Sequence, residues 1–273
     1  MPTTTLYSWL PAFGAISTTF YALGLAMQLA VLSGKISQNR FASGLIGLGA
    51  TILHGACIWV ALSYSPTERT IALVDSISAI AFVSSLLVVV IALVRPVHNL
   101  KILIYPVSAV TVIVLLFPTD SATPGVHLGT AVTWHVGFAV VGYALMTVAA
   151  LQGSLVYVQH AQLKTKTNNR LIRALPPLLL MERLLIQMVV GAAIFLTLAI
   201  ITGFIFADNF FAQKLIHKSV FTLAAWAVCI TLLLGRFFWG WRAKTAALYT
   251  VTALGLLMLG FLGTKLVLQY MLA

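Results

Sequence analysis

A chain of 273 residues that is 61% hydrophobic and only 8% charged cannot cover the surface of a water-soluble fold. The mean hydropathy of +1.05 says the same. The net charge of +11 invites a nucleic-acid reading, but the basic residues sit in short connections between apolar runs and form no basic domain, so nucleic acid is excluded as a partner.

A helix needs about 20 apolar residues to cross the hydrocarbon core. Eight stretches qualify, at roughly Trp9–Leu32, Phe41–Tyr64, Ala72–Val94, Ile102–Phe117, Thr130–Tyr157, Leu184–Ala207, Ser219–Leu234 and Thr245–Leu268, the fourth and seventh being short. Breaker-rich segments such as "SGKISQNR", "SPTER", "RPVHNLK" and "PTDSATPG" separate them. The expected fold is all-α: a polytopic membrane helix bundle of about eight transmembrane helices, with residues 1–273 forming a single transmembrane domain in contact with lipid. The N-terminus lacks the basic region of a cleavable signal, the first Lys or Arg being Lys35.

Orientation follows from Lys and Arg counts. One set of connections holds Lys35, Arg40, Arg95, Lys101, Lys164, Lys166, Arg170, Arg173, Arg183, Arg236, Arg242 and Lys244, twelve in all, against four on the other side, Arg69, Lys214, Lys218 and Lys265. The twelve face the cytoplasm, which puts both termini outside. Trp9, Trp59 and Trp134 then mark the outer interface, and Trp239 and Trp241 the inner one. Glu182 is the one acid on the inner side, next to Arg183. The basic segment His160–Arg183 reads as a solvated inner loop or, in its second half, as a surface-lying amphipathic helix.

On this topology the six histidines sort by depth. His98 and His160 belong to inner connections. His127 lies in the outer loop before the fifth span, His54 near the middle of the second span, His135 one to two turns inside the fifth span, and His217 at the outer start of the seventh. An imidazole inside a membrane is expensive and marks either an interhelical hydrogen bond or a ligand position. His54 reads first as a hydrogen bond and His127 as a solvated loop residue. His135 and His217 share a depth on different helices, so they are a candidate pair of axial ligands for haem iron. Lys214, Lys218 and Lys265, the unusual outward cations, would face haem propionates. Zinc is less attractive, because no HxxxH, HxxE or thiolate companion stands nearby. Cys57 and Cys229 lie singly in apolar runs and read as packing. The glycines of "GLIGLGATILHG" (Gly44–Gly55) read as close helix approach. There is no nucleophile elbow, P-loop or dinucleotide fingerprint, so no catalytic constellation is found and no enzyme is expected.

The stretch "LPPLLLMERLLIQMVVGAAIFLTLAIITGFIFA" (Leu175–Ala207) resembles the signature region of the CcsA/CcmC/HemX-type cytochrome c assembly superfamily. Its "ERL" is Glu182–Leu184, and its "TLxIxTG" end is Thr197–Gly203. "WHV" (Trp134–Val136), "HKSVFTLAAWAV" (His217–Val228) and "GRFFWGWRAKTAALYTVTALGLLMLGFLGTKLVL" (Gly235–Leu268) resemble the family's outer-facing histidine motif and last two spans. The likeness covers about residues 130–268 and is nearest to the short YpjD inner-membrane branch. It implies a bacterial inner-membrane location, haem b as cofactor between His135 and His217, and haem-pathway or cytochrome assembly proteins as partners. The tryptophan-rich outer loop of haem-exporting members is replaced here by "DNFFAQKLIHK" (Asp208–Lys218), short and without tryptophan. Two other readings stand beside this one. One is a HemX-like regulatory protein docking a cytoplasmic partner through His160–Arg183. The other is a small transporter or ion-resistance subunit.

Overall fold

The computed structural model describes residues 8–63, 70–71, 73–117, 126–127, 130–165, 175–206 and 216–263. Among these residues eight α-helices follow in chain order: α1 Leu10–Leu32, α2 Arg40–Ser63, α3 Leu73–Val94, α4 Leu100–Leu115, α5 Thr130–Lys164, α6 Leu178–Phe206, α7 Ile216–Trp239 and α8 Ala243–Met258. A π-helical turn, Leu259–Gly263, continues α8. Seven are long and apolar enough to cross a membrane, α8 being so with its π turn, as Ala243–Phe261; α4, with 16 residues, is the shorter apolar helix. At 1.5 Å per residue α4 spans only about 24 Å, and Pro106 in its interior removes one backbone hydrogen bond. Two features were not expected from sequence. Residues β1 Thr70–Ile71 and β2 Val126–His127 pair as a two-residue antiparallel bridge, too short to leave any periodic signal. And α7 is full length, because "GRFFW" continues the helix to Trp239.

The chain divides into two compact units, residues 1–130 and 131–273. In the first, α1 packs on α2 and α4, α2 on α3, and α3 on α4, a closed ring of four helices. Its interior is unusually polar for a membrane bundle. The Ser17 hydroxyl donates to the Ala50 carbonyl at 2.9 Å, Gln28 Nε2 donates to Ser43 Oγ at 2.9 Å, and Ser85 and Ser108 hydroxyls meet at 2.6 Å. Such bonds between helices substitute for the hydrophobic driving force that lipid cannot supply.

Close approach in this ring depends on glycine. A Cβ at Gly47 would stand 2.5 Å from Tyr105 Oη and 2.7 Å from Val89 Cγ2, and one at Gly44 2.9 Å from Leu93 Cδ2. At Gly49 the nearest neighbour is Phe20 at 3.7 Å, an ordinary contact. Gly47→Ala should therefore destabilise by about 1–3 kcal/mol through overpacking. Gly49→Ala should be neutral or slightly stabilising, through better helix propensity. Thermal melts of the two variants in one detergent check the contrast.

In the second unit, glycines again set the approach. A Cβ at Gly142 would meet Leu196 of α6 at 3.1 Å, and one at Gly153 the Ala247 Cα of α8 at 3.4 Å. Helix α6 also packs on α7 and α8, and α7 on α8. Met146, Leu185, Val189, Leu196, Leu232 and Leu257 are buried at the centre. The Tyr143 hydroxyl donates to the Leu257 carbonyl at 3.2 Å, just before α8 widens into its π turn. Trp239 and Trp241 stack with centroids 6.2 Å apart at the α7–α8 connection. Gly240 there has φ +64°, a left-handed value that favours glycine.

Candidate functional site

His135 is the sixth residue of α5 and is half-buried. Its Nδ1 lies 2.9 Å from the Ala199 carbonyl of α6. A carbonyl only accepts, so Nδ1 carries the proton and donates, and Nε2 is the nitrogen with the lone pair. The Thr202 hydroxyl lies 3.4 Å from the same Nδ1, and donates within its own helix to Leu198 at 2.7 Å. Thus "WHV" and "TLAIITG", two separate motifs in the sequence, form one site. A third helix, α7, is tied to the same motif of α6: Trp226 Nε1 donates to Thr197 Oγ1 at 2.8 Å. His217 lies nine residues before Trp226 on that helix, about 13.5 Å nearer the α6–α7 connection. The Trp134 and Phe138 rings of α5 lie 6.0 Å apart, and the Phe138 ring lies 6.4 Å from Phe195 of α6.

The other expected ligands are less fully described. His217 and Lys218 belong to the first turn of α7, but their side chains lie outside the described residues, as do Lys214 and Lys265 altogether. The His127 backbone pairs with Thr70, its side chain again lying outside the description. His54 is fully buried in the first unit, with Nδ1 3.1 Å from the Tyr21 hydroxyl and Nε2 2.9 Å from the Ser78 hydroxyl. Both its nitrogens serve interhelical hydrogen bonds. Cys57 and Cys229 are free and buried, and among the described residues no three His, Cys, Asp or Glu side chains gather as a metal site.

One buried polar residue finds its partners far away in sequence. Glu182, 4% exposed in the first turns of α6, does not depend on its neighbour Arg183. Its Oε1 accepts from the Ala243 backbone N–H at 3.1 Å, and Oε2 lies 3.5 Å from Arg242 Nε and 3.8 Å from Arg236 Nη1. Arg236 in turn donates to the Trp241 carbonyl at 2.8 Å. The "ERL" glutamate therefore clasps the α7–α8 turn onto α6. Both arginines are partly exposed, so their ion pairs contribute little. The buried Ala243 N–H is the costly group to orphan. Glu182→Leu should lose about 2 kcal/mol, and Glu182→Gln, which keeps the acceptor, about half that. A shift of the melting temperature in that order checks it.

A ring of four helices, a second helical unit, seven helices fit to cross a bilayer among the described residues, and a motif-bearing histidine tied to a neighbouring helix backbone define a polytopic membrane protein. Residues 43–272 match the family described as cytochrome C assembly protein, and the chain belongs to that family. It is 32% identical over 149 residues to "Inner membrane protein YpjD" of Escherichia coli K12, 54% of each chain, and equally to that of Escherichia coli O157:H7. It is 28% identical over 181 residues, 64% of this chain and 67% of the relative, to an "Uncharacterized 28.8 kDa protein in nifR3-like 5'region" of Azospirillum brasilense. The chain spans about half the length of the YpjD relatives it matches. No solved structure matches it. The family and these relatives make it a multi-pass inner-membrane protein.

Proposed function

We propose that this protein binds and handles haem b in the inner membrane, in service of cytochrome c assembly and without catalysing a reaction itself. His135 and His217 are the axial ligands in this reading, and Lys214, Lys218 and Lys265 pair with propionates. His54 and His127 stand outside the ligand set. The observation that carries it is the Nδ1–H···O=C bond from His135 to Ala199. A ligating histidine characteristically donates its other ring N–H to a fixed acceptor, which sets the tautomer and aims the lone pair. The carbonyl of Ala199 does this for Nε2, within two motifs that the family resemblance singles out. Bound haem would supply a redox-active iron; the chain's part is to hold, orient and shield it. The excess of Lys and Arg in alternate connections supports both termini facing outward, which brings the His135 level beneath the outer surface. Haem-pathway or cytochrome assembly proteins are the partners this reading implies.

The protein purified after expression with ample haem should show a Soret band and sharp reduced α and β bands. A purified protein without Soret absorption overturns the reading.

A further inference from the structure

The first unit gathers hydrogen-bond donors without acceptors at the end that carries the α1–α2 and α3–α4 connections. Lys101, only 1% exposed, donates from Nζ to the Ser43 carbonyl at 3.0 Å and Ser43 Oγ at 2.7 Å. Those two bonds use two of the three ammonium protons, and Gln28 Nε2 donates to the same Ser43 Oγ at 2.9 Å. Among the described residues no carboxylate pairs with Lys101. Asp75, the acid of this unit among the described residues, lies in the first turn of α3, at the opposite end of that helix from His98. His98 is 8% exposed, and neither of its ring nitrogens has a hydrogen-bond partner among the described residues. Gln38 Nε2, two residues before Arg40, is a second buried donor in the same position. Lys101 Nζ reaches the Ser43 carbonyl, three residues after Arg40 in α2, and His98 lies three residues before Lys101, so the three groups belong to one end of the unit. A buried ammonium and an unpartnered imidazole are each expensive, and one anion would satisfy both.

We propose that this end of the first unit is a binding site for a phosphate-bearing anion, held by Lys101 Nζ, a ring N–H of His98 and the Arg40 guanidinium, with Gln38 at its edge. Phosphate suits the donor set, because its oxygens accept several charge-assisted bonds at once and Arg matches its geometry. Two sources carry that chemistry: the headgroup of an anionic phospholipid, which lies at the level of a basic bundle end, and free phosphate. The proposal is independent of the haem reading, since all its residues lie in the first unit.

The test uses the full chain, delipidated by extended washing in neutral detergent at constant ionic strength. Melting is followed against inorganic phosphate, dihexanoyl phosphatidylglycerol and, as zwitterionic control, dihexanoyl phosphatidylcholine. At least one of the two anionic probes should stabilise the protein beyond matched chloride and beyond phosphatidylcholine. The one acting at lower concentration names the source. Lys101→Met should weaken that binding at least ~10-fold, the loss of one charged hydrogen bond. His98→Gln and Arg40→Gln, which leave Lys101 in place, should each weaken it too. No stabilisation by either anion, or wild-type affinity in all three variants, overturns the proposal.

Discussion

His135→Ala should lower haem retention at least ~100-fold, because losing even an outer partner of a metal ligand costs 10–100-fold and this change removes the ligand itself. The His135→Ala, His217→Ala double variant should lose the Soret band altogether. A structural role for His135 would behave differently. Its bond to Ala199 ties α5 to α6, so a purely structural histidine would show a lower melting temperature with an unchanged spectrum. His135→Met separates the two further: a thioether can ligate iron but cannot donate to the carbonyl, so the band should persist with a shifted reduced spectrum. Thr202→Val should change little, because its hydroxyl stands at 3.4 Å and is spent on its own helix. An unchanged haem spectrum in the double variant would remove these two histidines from the site.

Much of the fold could be read from hydropathy because each crossing is a long apolar run bounded by charge. The starts and ends of α1 to α4 fall within two residues of their expected positions. Boundaries failed where helices leave the apolar region. Helix α5 runs to Lys164 through polar sequence, α6 starts at Leu178 behind Pro176 and Pro177, and α7 runs on through an aromatic tail that resembles an interface. Hydropathy marks lipid contact, whereas a helix continues for as long as its backbone bonds propagate. The early start of α6 takes up the end of the His160–Arg183 segment; residues 166–174 lie outside the described residues. At the site, the motif that carries His135 was legible and its partner was not. His135 was expected near His217, but its described bond is to a backbone carbonyl 64 residues away, which no side-chain pattern encodes. Glu182 is the same case: Arg242 and Arg236 become its neighbours only when the α7–α8 turn folds over α6. The glycines of α2 were legible as packing, and Gly44 and Gly47 pack at closest approach while Gly49 does not.

His98 makes stability depend on pH in a defined window. Burial first, then the charges of Lys101 and Arg40, lower its pKa from 6.5 to about 4. It lies in the α3–α4 connection, next to the cations of α2 and α4 and, among the described residues, with no acid of its unit at that end. Above pH 6.5 the ring is neutral folded and unfolded, and it contributes nothing to the pH dependence. Between 6.5 and about 4 the unfolded chain takes up a proton that the folded one refuses, so stability falls as pH falls. Below about 4 both forms are protonated and the loss is complete. That loss reaches up to about 3 kcal/mol, or roughly 5–10 °C in melting temperature for a chain of this size. Other groups titrate in the same range, so the difference between wild type and His98→Gln isolates the imidazole. In phosphate-free buffer after delipidation, the wild type should fall more steeply than the variant from pH 6.5 to 4. Parallel curves would mean that His98 is protonated as readily in the folded protein as in the unfolded chain.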